Sequence, residues 1–71
     1  MKHRDTIIYD LIFSDCNDYE INVAEYISDI YRYDYFILDI KEILKKSKII
    51  ILSEKVDIDP KKVIWRLKVK K

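Results

Sequence analysis

Seventy-one residues with 14 basic and 13 acidic side chains and a net charge of +1 fit one small domain. A single cysteine, Cys16, excludes an intrachain disulfide, and a lone histidine, His3, leaves no Cys/His set at metal-ligand spacing. No apolar run approaches the roughly 18 residues that would cross a bilayer.

The first helix is expected over residues 5–14. Ile8, Leu11 and Ile12 recur at helical spacing beside Ile7, and Asp5 or Thr6 can cap the N-terminus. Ser14-Asp15-Cys16-Asn17-Asp18 reads as a polar connector that turns without glycine. Tyr19-Glu20-Ile21 reads as a very short strand. Asn22-Val23-Ala24-Glu25 has the form of a capping box, which predicts a second helix running to about Tyr31. A third helix is expected from about Asp34 to Lys46, burying Phe36 or Ile37, then Ile40, Ile43 and Leu44.

From Lys48 the pattern becomes β-branched, predicting a strand through Leu52 that can continue past Val56 and Ile58. Asp59-Pro60-Lys61-Lys62 is a turn, because Pro60 fixes the dihedral that its second position needs. Residues 63–69 then alternate: Val63, Trp65, Leu67 and Val69 face one way, and Ile64, Arg66 and Lys68 the other. A rival reading joins residues 23–46 into one helix, since no glycine or proline interrupts them. Val23, Tyr26, Ile30, Tyr33, Ile37, Ile40 and Leu44 would then form a coiled-coil seam.

Charge is unevenly distributed. Residues 1–40 hold nine carboxylates against Lys2, Arg4 and Arg32, whereas residues 41–71 hold eleven basic side chains against four carboxylates. A basic half beside an acidic half implies a polyanionic partner on one side.

Composition carries a second bias. There is no glycine and no glutamine, only two asparagines, and 14 isoleucines. Scarce thermolabile side chains beside many charges lead to the expectation of a hyperthermophilic archaeon, or one of its viruses, as the source. The N-terminus shows no apolar core of a signal peptide, so the expected compartment is the cytoplasm, that of the host for a viral protein.

The order helix, short strand, helix, helix, strand, strand resembles the winged helix-turn-helix family over nearly the whole chain. Ile21 to Ile27 looks like the entry to a second helix, and Leu44-Lys45-Lys46-Ser47-Lys48-Ile49 like the exit from a recognition helix into the first wing strand. Asp57 to Lys62 looks like the wing loop. The resemblance implies an α+β fold of three helices and a β-hairpin wing, and a transcriptional regulator that binds double-stranded DNA; a homodimer is expected from the small core and the exposed aromatic side chains, with the first helix as a candidate surface. Helix 3 would enter the major groove and the wing would lie on the phosphate backbone. On this reading Lys41, Lys45, Lys46, Lys48, Lys61, Lys62, Arg66 and Lys68 contact DNA, with Lys70 and Lys71 adding to the last strand's basic face.

Two features depart from the family pattern. The turn at Arg32-Tyr33-Asp34 lacks the usual glycine, and the recognition helix carries Asp39 and Glu42. The alternative is a protein-interaction module docking a basic partner through its acidic half. The location of the cations in the folded molecule discriminates the two: convergence of Lys41, Lys45, Lys61, Lys62 and Arg66 on one face favours DNA binding, and their scatter favours the interaction module. Tyr26, Tyr31, Tyr33 and Tyr35 read as core or interface residues rather than base-stacking ones. Asp15, Asn17, Asp18 and Glu20 lack the glycine and distal glutamate of a calcium loop. No nucleophile–base or paired-carboxylate arrangement stands out, so the sequence predicts a binding protein that is not an enzyme and uses neither cofactor nor metal.

Overall fold

Alternation decides the centre of the molecule. In the computed structural model, which describes residues 1–71, strand β3 (Lys62–Lys70) buries Val63, Trp65, Leu67 and Val69 and exposes Arg66, Lys68 and Lys70. β3 is the middle strand of a three-stranded antiparallel sheet of order β1-β3-β2. β1 (Asp18–Asn22) sets Ile21 opposite Trp65, and β2 (Ile50–Asp59) sets Val56 opposite Trp65 from the other side. The β2 register shifts between Ile51 and Ser53, leaving Leu52 as an extra, exposed residue. Pro60 and Lys61 form the turn between β2 and β3 that the sequence predicts.

Two α-helices supply the other half of the core. α1 (Arg4–Phe13) buries Ile7 and Leu11, and α2 (Tyr33–Lys46) buries Phe36, Ile37, Ile40 and Leu44, a stripe at helical spacing. With Ile21, Val23 and Ile49 they complete a core of 13 buried residues, all apolar. Trp65 is fully buried at its centre, and its indole Nε1–H has no acceptor. A lost hydrogen bond there costs about 1–3 kcal/mol, which the ring's buried area offsets.

The architecture is therefore α+β and compatible with a winged helix, with one correction: there are two α-helices, not three. Residues 23–32 form single 3-10 turns at Val23–Glu25 and Ile30–Arg32 instead of the expected second helix. The cause is local. Asn22 does cap, its Oδ1 accepting from Ala24 N at 3.2 Å, but Glu25 does not reach back to close the box. It forms an ion pair with Lys2 at 2.7 Å instead. Asp29 then starts a new cap, accepting from Tyr31 N at 3.1 Å. Asp and Ser side chains compete with helical hydrogen bonds in this way, and the β-branched and aromatic residues around them add little helix propensity. The same break rules out one continuous helix over residues 23–46. At α1 the cap is His3, whose Nδ1 accepts from Asp5 N at 3.2 Å, rather than Asp5 or Thr6.

The exit from α2 fixes where the hairpin starts. Ile49 N donates to Leu44 O at 2.9 Å and Lys48 N to Lys45 O at 3.1 Å, the paired bonds of a Schellman motif. Its left-handed position is held by Lys48, at φ 61°, where glycine is usual. The buried Ile49 supplies the apolar contact that closes the motif.

Candidate nucleic-acid interface

Ion pairing sorts the cations into two sets. On the outer face of the sheet, Arg66 sits between Glu20, at 3.6 Å, and Asp57, to which its guanidinium donates a short hydrogen bond. Lys55 also approaches Asp57, at 3.6 Å. Lys41 of α2 pairs with Glu54 of β2 at 2.7 Å. Lys2, Arg4 and Arg32 pair with Glu25, Asp39 and Asp29. The eight remaining cations, Lys45, Lys46, Lys48, Lys61, Lys62, Lys68, Lys70 and Lys71, make no ion pair.

Topology gathers six of these eight at one end. Lys45 and Lys46 occupy the last turn of α2 and Lys48 its capping position. Two residues on, Ile50 pairs with Lys70, and further along Ser53 pairs with Lys68. Lys71 donates to the Ser14 carbonyl and to Tyr19 Oη, and lies 5.5 Å from the Tyr19 ring centroid. The lysine pole thus forms where α2 ends, β2 begins and β3 ends. Lysines suit this place, because the carbonyl end of a helix favours cations.

Lys61 and Lys62 lie elsewhere. The hairpin tip is ten strand residues from Ile50, roughly 30 Å at about 3.3 Å per residue, and the molecule's longest extent is 32 Å. Of the residues singled out from sequence, the fold therefore gathers Lys45, Lys46, Lys48 and Lys68. It ties Lys41 and Arg66 to carboxylates and sets Lys61 and Lys62 apart, so the five cations Lys41, Lys45, Lys61, Lys62 and Arg66 scatter, the outcome that favours an interaction module. It also gathers Lys70 and Lys71, which the sequence places on the last strand's basic face and strand pairing brings to the pole.

The exposed side of α2 is less suited to a phosphate-lined groove than its end. Asp34 and Asp39 lie on its N-terminal half, and Asp34 is engaged with the Tyr35 amide at 2.9 Å. Tyr31, Tyr35 and Leu38 are exposed beside them. Tyr26, by contrast, is partly buried and stacks on Phe36 at a centroid distance of 5.8 Å. Burial pushes its phenol above the ordinary value, while the hydrogen bond and charge of Glu25 raise the Lys2 ammonium. Both perturbed groups lie away from the lysine pole, on the acidic side of the molecule.

That acidic side is built from α1 and β1. Asp10, Asp15, Asp18 and Glu20 are exposed along it, yet no group of His, Cys, Asp or Glu is arranged to hold a metal ion. In the connector, the Asn17 carbonyl accepts from Val69 N at 2.8 Å and the Ser14 hydroxyl from Cys16 N at 3.0 Å. No helix is long and apolar enough to cross a membrane. No protein-family model, curated protein or solved structure matches the chain.

Proposed function

We propose that the protein binds double-stranded DNA along the phosphate backbone through its lysine pole. The observation that carries this reading is the gathering, at one end, of six lysines that make no ion pair. A carboxylate-paired cation gains little from a phosphate, because it must first give up its partner; an unpaired one releases counterions on contact. Lysine is a point charge rather than a planar fork, which suits phosphate contact better than bidentate reading of bases. The acidic half of α2 likewise argues for backbone contact over insertion of that helix into the major groove. The winged-helix resemblance adds the expectation of a role in transcription regulation, an argument from fold alone.

The experiment is a binding titration on random-sequence duplex at several salt concentrations. Six contacts give a slope near −5.4 in log K against log salt, from about −0.9 per phosphate. Arg66→Ala, which removes a cation already held by two carboxylates, leaves that slope unchanged. Absence of duplex binding at low salt would overturn the reading.

A second reading is favoured by a different observation. Tyr31, Tyr35 and Leu38, together with Ile50 and Leu52, are large apolar side chains left exposed on the turn before α2, along α2 and at the start of β2. Such exposure suits a protein-interaction module. Loss of a protein partner on substitution of these residues, with DNA binding absent, would select it.

A further inference from the structure

The sheet has two open edges, and the molecule's charge is divided between them. β1 and β2 each pair only with β3, so each leaves one edge without a neighbour. α1 lies on the β1 side, where Tyr19 Oη donates to the Asp10 carbonyl at 3.1 Å. α2 lies on the β2 side, through Lys41 and Glu54. Residues 4–22, on the β1 flank, carry five carboxylates against Arg4; β3 sets Lys68 opposite Asp18 and Arg66 against Glu20, and Lys71 lies against Tyr19, all at the inner side of that strand. Residues 38–55, on the β2 flank, carry five lysines against Asp39, Glu42 and Glu54.

Both flanks also expose apolar side chains. On the β1 flank Tyr9 and Phe13 are each 67% exposed, their rings 4.6 Å apart. On the β2 flank Leu38, Ile50 and Leu52 are more than half exposed, beside a cleft of about 590 Å³ walled by Lys41, Lys45 and Lys48.

We propose that copies of this chain associate head to tail, the β1 flank of one against the β2 flank of the next. Charge selects this occupant. Two β2 flanks brought together would oppose lysine to lysine, and two β1 flanks carboxylate to carboxylate; only the mixed contact is complementary. Geometry permits it. β1 and β2 are both antiparallel to β3 and so parallel to each other, and a copy displaced along the sheet lays its β1 parallel to β2 of the first. Because the two surfaces differ, the contact is not closed by a two-fold axis, and a row of copies can grow. The irregularity at Leu52 and the charges of Glu54 and Lys55 blunt the β2 edge, as edge strands often are, so the association is reversible and concentration-dependent.

The test uses the protein alone, by sedimentation velocity over a range of concentrations and salt. At low salt the mass should rise with concentration past the dimer, and high salt should return it to monomer. Asp10→Lys with Asp18→Lys disables the acidic flank; Lys45→Glu with Leu52→Glu disables the basic one. All four side chains are exposed, and circular dichroism checks that each variant is folded. Each variant should be monomeric alone, because its two flanks then carry like charge, while their equimolar mixture should associate, because one intact contact remains. A wild-type protein that stays monomeric, a mixture that stays monomeric, or an acidic-flank variant that still dimerises through β2 would each overturn the proposal. The basic flank shares Lys45 and Lys48 with the lysine pole, so the sedimentation is run without DNA and reads association alone.

Discussion

The two ends of the β2–β3 hairpin carry similar residues in different settings. At the tip, Lys61 and Lys62 follow Pro60 on a two-residue turn, with Asp57 and Asp59 close by in the chain. At the other end, Lys48, Lys68 and Lys70 are joined by Lys45 and Lys46 from α2 and by Lys71, and three elements hold them together. A pair of lysines on a turn is two charges; six on converging backbone termini form a field. Surface charge is thus made by topology at least as much as by composition.

The largest effect should come from the point on which both ends depend. Trp65→Ala removes the centre of the sheet and should destabilise by about 3–5 kcal/mol, as large-to-small core changes do. Both ends would lose their geometry together. A thermal melt little changed from wild type would show that the ends are held independently of the shared core.

Separating the ends comes next. Lys46→Ala, Lys68→Ala and Lys70→Ala combined should lower the salt slope of duplex binding by about 2.7 and weaken all sequences alike. Lys61→Ala with Lys62→Ala should change it far less. A drop near 1.8 for the tip pair would instead mean that the tip touches backbone as the pole does, in the manner of a wing.

The smallest effect has opposite signs in two measurements. Lys48→Gly relieves a left-handed residue that carries a side chain and should raise stability by about 1 kcal/mol. It also deletes one pole lysine, so the salt slope should fall by about 0.9. A gain in the denaturation midpoint without any change in slope would remove Lys48 from the DNA surface and leave it as a cap.

Much of this fold was legible from residue order. The unbroken alternation from Val63 to Val69 placed β3, and the stripe Phe36, Ile37, Ile40, Leu44 placed α2, because each period has one way to bury its apolar side. The second helix was misread because Asn22 and Asp29 are both able caps, seven residues apart, and the sequence gives no rule for which stretch they serve. At the site, lysine content was visible but its sorting was not. Arg66 meets Glu20 and Asp57 only because β3 lies between β1 and β2, and Lys41 meets Glu54 only once α2 packs beside β2. Long-range register decides which cations are free, and a linear pattern does not encode it in readable form.

The central strand of the sheet is the last in chain order, and that has a consequence for synthesis. β1 and β2 have no partner but β3, and Val63, Trp65, Leu67 and Val69 supply four of the 13 core side chains. A nascent chain that has reached the hairpin turn holds both outer strands but nothing to join them, so Ile21 and Val23 stay uncovered until β3 follows. Once residues 62–70 are free, β2 can pair with β3 across a two-residue turn, whereas β1 must reach β3 across almost the full span of the domain. A chain stopped before Trp65 would leave the apolar faces of α1, α2 and β1 exposed, which invites proteolysis and aggregation.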